Sequence, residues 1–128
     1  MALKDKTDVK DNTTQGQRDF LLFQKTFKEY QKLFGLTGYK VYFKYEPIDG
    51  AFASITCAQN DMVATVRLNS KLPDKDGRHK DIRGSAIHEV LHLLLMRLEI
   101  IAKCRYVASE EIYESVEEIV HKLEGLKK

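Results

Sequence analysis

Between Arg83 and Ile101 the chain is dominated by Ile87, Val90, Leu91, Leu93, Leu94, Leu95, Met96 and Leu98, yet it sets His88, Glu89 and His92 inside that run. A stretch this apolar and free of proline reads as a helix crossing a domain core. With about 3.6 residues per turn, positions i and i+4 share a face. The imidazoles of His88 and His92 can therefore converge on one point, with Glu89 beside it. Polar groups buried in such a helix cost roughly 2–7 kcal/mol each unless they find partners. The run thus demands both a core to enter and something for three polar side chains to hold.

His88-Glu89-Val90-Leu91-His92 is the HExxH pattern of zinc hydrolases, in which two histidines bind the metal and the glutamate serves as general base. The blander reading is a pair of core histidines satisfied by backbone carbonyls or buried water. Zinc takes a roughly tetrahedral set, and a catalytic site keeps one position for water, so a third protein ligand is needed. The extension HExxHxxGxxH is excluded because Leu95 and Leu98 occupy its glycine and histidine positions. The terminal segment offers Glu110, Glu111, Glu114, Glu117, Glu118 and His121, and Cys104 is a weaker option. On a helix whose buried face centres on Val116, Glu117 lies about 100° away, beside Tyr113 and Val120, whereas Glu118 lies at about 200°. That count selects Glu117, with Glu118 one register step away. One Zn2+ per chain is the expected cofactor.

A chain of 128 residues forms a single domain. Its net charge of +2 with 31% charged residues lacks the basic excess that would argue for nucleic acid. The basic residues Lys71, Lys75, Arg78, Lys80 and Arg83 are interrupted by Asp74, Asp76 and Asp81, so they read as a solvated loop, as does His79. Residues 1–16 are polar and mixed in charge, neither signal peptide nor anchor, and read as a flexible leader to a domain over 17–128. Val90 to Ala102 is too short to span a membrane and is broken by His92, Arg97 and Glu99. Cys57 and Cys104 without an export signal point to reduced thiols in a cytoplasmic protein.

Gln17 to Phe34 carries Phe20, Phe23, Phe27, Tyr30 and Phe34 at helical steps, with Leu21, Leu22 and Leu33 widening the stripe. Tyr39 to Glu46 alternates as a half-buried strand. Ala51 to Ala58 and Met62 to Leu68 flank Gln59-Asn60-Asp61 as a hairpin, with Met62, Ala64, Val66 and Leu68 on one face. A last helix is expected from Ser109, as N-cap, to Leu123, with Ile112, Tyr113, Val116, Ile119, Val120 and Leu123 as its apolar face. The order predicts an α+β domain: an N-terminal helix, a small mixed or antiparallel three-stranded sheet, the HExxH core helix and a C-terminal helix.

An aromatic-rich first helix, a strand, a hairpin, HExxH followed by leucines, and Glu117-Glu118-Ile119-Val120-His121-Lys122-Leu123 together resemble the small metallopeptidases of phages and prophages, which are minimal gluzincins. The resemblance covers Gln17 to Leu123, and HExxH is its one specific motif. It implies a zincin-like fold, His88, His92 and Glu117 as ligands, Glu89 as base, and a peptide substrate in the cytoplasm of the host. It further implies that the substrate pairs with the Ala51 to Ala58 edge. Oxyanion stabilisers would come from Tyr113, Tyr106, Arg105 or His121. A zincin-like interaction domain without turnover is the alternative, against which Glu89 stands, since a structural metal site needs no general base.

Overall fold

The computed structural model describes residues 14–71 and 81–126. Helix α1 (Gln15–Leu33) opens with a capping box: the Thr14 hydroxyl accepts from the Gln17 N–H at 3.0 Å, and the Gln17 side chain accepts from the Thr14 N–H at 2.9 Å. It therefore starts two residues before the sequence reading placed it. The chain then forms β1 (Lys40–Glu46), β2 (Ala53–Ala58), a 3-10 turn (Gln59–Asp61) and β3 (Val63–Asn69). Helices α2 (Ile82–Lys103) and α3 (Ser109–Glu124) complete it. This is the expected α+β order of helix, strand, hairpin, helix, helix.

The sheet is mixed, in the order β1-β3-β2. β3 pairs antiparallel with β2 and parallel with β1, so the second strand of the hairpin is the central one. Met62 closes the hairpin turn in the left-handed region at φ 55° and so leaves the strand. It is exposed, while Ala64, Val66 and Leu68 face the core. β2 is left as an edge strand beside α2.

The core forms where α1 and α2 cover one face of the sheet. Phe23 and Phe27 are fully buried and meet Phe43 edge-on, at 6.5 and 5.4 Å between ring centroids. Leu68, Val66, Val90 and Leu93 fill the space between. The aromatic stripe of α1 behaves as expected, but Leu21, Leu22 and Leu33 are exposed, and Thr26 and Gln31 take the buried positions instead. Gln31 earns its burial by donating to the carbonyls of Leu36 and Tyr39, at 2.9 and 3.1 Å, which fixes the turn into β1. Asn69 does the same between β1 and β2: its Nδ2 donates to the carbonyls of Ile48 and Ala51, both at 2.8 Å.

Helix α3 starts one residue after Ala108, which is the N-cap in place of Ser109, and Glu111 accepts from the Ala108 N–H at 3.3 Å. His79 and most of the basic loop fall outside the described residues. Among the described residues, no helix is long and apolar enough to cross a membrane.

Truncating Phe27 to Ala removes a fully buried ring from the junction of α1, the sheet and α2. It should cost about 3–5 kcal/mol, whereas Leu21→Ala, at an exposed position, should stay within about 0.5 kcal/mol of wild type. Urea unfolding followed by circular dichroism measures both.

Candidate metal and peptide site

Asp81 caps α2, its Oδ1 accepting from the Gly84 N–H at 2.8 Å. Arg83 then ties the first turn to α1 through Thr26 Oγ1 at 3.3 Å and Glu29 at 3.4 Å. These contacts hold the first turn of the helix against α1. Ala86, Val90, Leu93 and Leu94 enter the core, and His88 and His92 emerge on the opposite side. Leu91 and Leu95, which the sequence reading placed in the core, lie on the exposed flank with them.

The two Nε2 atoms are 3.2 Å apart, with the imidazole rings nearly perpendicular at 81°. Two nitrogens, each about 2.0–2.1 Å from a zinc ion and separated by a tetrahedral angle, stand about 3.4 Å from one another. The 3.2 Å separation, which in this structure is a hydrogen bond between the two rings, is close to that spacing. Glu89 lies at the seam between the imidazoles and the core and is only 6% exposed. Burial pushes its carboxyl above the usual carboxylate range, while His92 and His88 pull it back down.

A groove runs along the free edge of β2 past these residues. One half, of about 500 Å³, is bounded by Ala51, Phe52, Asp81 and Ser85, and the other, of about 540 Å³, by Ile55, Cys57, Met96 and Glu99. Ala53, His88 and Glu89 line both halves. The histidine pair thus sits midway along a trough whose wall is an unpaired strand edge. Cys57 is a floor residue whose thiol is pushed up by burial and so stays protonated.

The structure brings together His88, Glu89 and His92 but does not bring Glu117 to them. Among the described residues, no group of three or more histidine, cysteine, aspartate or glutamate side chains is placed to hold a metal. The face of α3 centred on Val116 in the sequence reading is displaced. The fully buried residue is Ser115, with Ile119 and Leu126 packed against the core, while Ile112, Tyr113, Val116, Val120 and Leu123 are exposed.

A wide apolar arc leaves open which of its edges docks, and polar contacts decide. Arg97 of α2 meets Glu118 at 3.0 Å and Glu114 at 3.8 Å, and the Lys122 Nζ donates to the Gly35 carbonyl at 3.0 Å. Small Ser115 lets the helix approach at that edge. Glu117 consequently lies about half a turn from the docked face, with His121 Nε2 at 4.0 Å. His121 also meets Glu124 at 3.4 Å. Cys104 is exposed and donates to the Ile100 carbonyl. Tyr106, Tyr113, Arg105 and His121 line neither half of the groove.

Glu99 and Met96 are groove residues that the sequence reading passed over. Their signal was available: Glu99 follows His92 by seven residues, which returns it to the same helix face within about 20°.

Comparison of the chain with protein-family models, with curated proteins and with solved structures finds no match.

Burial of Glu89 gives a signed expectation for the metal-free protein. An acid whose folded-state pKa is raised costs stability once pH exceeds its unfolded value, and the cost vanishes below that value. Glu89→Gln should therefore raise the Tm of the metal-free protein at neutral pH, with the difference closing as pH falls through the ordinary glutamate range. Thermal melts in chelator across pH 4–8 check this.

Proposed function

We propose that this chain is a zinc-dependent peptide-bond hydrolase with a minimal zincin-like frame. One observation carries the reading: two imidazole nitrogens at chelating distance open onto a groove beside an unpaired strand, with a buried carboxyl adjoining them. Zinc held by His88 and His92 would supply a water of lowered pKa and polarise the substrate carbonyl. Glu117 is the residue proposed for the third ligand, on the family resemblance, and direct substitution must decide it.

The chain's own groups have defined tasks. An extended peptide adds to the free edge of β2, held in register by backbone hydrogen bonds. The Glu89 carboxylate takes the proton of the attacking water and passes it to the departing amine nitrogen. Its largely buried setting beside both imidazoles suits that task. Apolar side chains at Ala53 and Ile55 limit water at the floor of the groove.

Purified protein should bind near-stoichiometric zinc, and His88→Ala or His92→Ala should lose it. Glu89→Gln should keep the metal and lower hydrolysis of a peptide library by about 10²–10⁴-fold or more. Absence of zinc in wild type under non-chelating conditions overturns the reading. Zinc without cleavage favours the interaction-domain alternative, which the missing third donor among the described residues already makes a specific competitor.

Glu117→Ala and Glu118→Ala, the latter losing the Arg97 contact, are compared side by side: weaker zinc binding in Glu117→Ala alone makes Glu117 the third ligand. Equal retention in the two removes Glu117 from the ligand set.

A further inference from the structure

We propose that Glu99 makes the groove selective for peptides carrying lysine or arginine two or three residues to the N-terminal side of the scissile bond. The inference rests on the hydrolase reading above and specifies its substrate class.

His88, His92 and Glu99 form one line along α2. Seven residues separate His92 from Glu99, which is about 10 Å along the helix axis. An extended peptide covers that distance in about three residues. The groove between these points has an apolar floor made by Ile55, Cys57 and Met96, and the carboxylate of Glu99 stands at its far end. A side chain with an aliphatic stem and a cationic tip fits that arrangement: the stem lies on the floor and the tip reaches Glu99. A short or acidic side chain satisfies neither part.

Electrostatics along the rest of the groove point the same way. Its lining contains the carboxyl groups of Asp81, Glu89 and Glu99 and no lysine or arginine among the described residues. Asp81 is occupied in capping α2, and Glu89 is buried, so Glu99 is the exposed acid on the groove. Its present partner is Lys103 at 3.0 Å, an exposed pair one helical turn apart. Such pairs are worth only about 0.3–0.5 kcal/mol, so a ligand cation can replace Lys103 without a large cost.

Strand direction fixes the side. β2 runs from Ala53, which lines both halves of the groove, to Cys57, which lines only the half bounded by Met96 and Glu99. Antiparallel pairing is the more stable mode per residue. A peptide antiparallel to β2 enters from the Glu99 end, so residues preceding the scissile bond lie against Glu99.

The experiment compares fluorogenic peptides that differ only in lysine, glutamine or glutamate at each of the three positions preceding the scissile bond, using zinc-loaded full-length protein. The expected result is a preference for lysine over glutamine of about two- to threefold in kcat/KM, expressed in KM. It should fall to near one in Glu99→Gln, reverse in Glu99→Lys, and grow in Lys103→Ala.

The same peptides are titrated onto Glu89→Gln protein by fluorescence anisotropy, where the lysine preference should appear in Kd and vanish in the Glu89→Gln, Glu99→Gln double variant. Cleavage with no lysine preference overturns the role of Glu99 and leaves the hydrolase reading standing. Binding with the preference but no cleavage does the reverse. A preference that survives Glu99→Gln, or that lies after the scissile bond, also refutes the proposal.

Discussion

Helix α2 has to serve the core and the site at once, and its rotational phase is the constraint on which the rest of the structure depends. Ala86, Val90, Leu93 and Leu94 must point inward together, and with 3.6 residues per turn this forces His88 and His92 outward together. Burying the apolar arc and presenting the imidazole pair are thus a single event. Glu89 falls at the border of the two arcs and pays in desolvation for a place next to both histidines. The Asp81 cap and the Arg83 contacts with Thr26 and Glu29 tie down the first turn in the same phase.

The sheet order supplies the other half of the site. Because β3 takes the centre and pairs with β1 in parallel, β2 remains an edge, and that edge faces the polar arc of α2. Had β2 been central, the free backbone groups beside His88 would have been consumed by a neighbouring strand. Gln31 and Asn69, both buried polar side chains, hold the two connections that make this order work. Each satisfies backbone carbonyls in a turn that no regular ladder reaches.

Legibility in the sequence followed the periodicity of burial. The aromatic steps of α1, the alternation at Ala64, Val66 and Leu68, and the i, i+4 histidines each have one dominant period, and each was found where that period placed it. The parallel pairing of β1 with β3 had no local signal, because it depends on a crossover whose partners are separated along the chain. Leu91 and Leu95 show a different loss: a helix apolar almost all round does not declare which leucines face solvent. The groove end at Glu99 was hidden for a related reason, since its meaning appears only once β2 lies opposite it.

The C-terminal helix shows where hydrophobic pattern yields to polar contacts. Ile112, Val116, Val120 and Leu123 make a respectable stripe, yet α3 docks through Ser115 and Ile119 at the margin of that stripe. Arg97 accounts for the choice. It projects from α2 with only partial exposure and finds carboxylates on the docked edge of α3. Glu114 and Glu118 lie on the side of α3 that answers it, and Lys122 reaches the Gly35 carbonyl from the same side. Ser115, placed between these contacts, is small enough to let the two helices approach, though among the described residues its Oγ has no hydrogen-bond partner. The rotational phase of α3 is therefore set by the guanidinium of its neighbour, and the position of Glu117 follows from that phase.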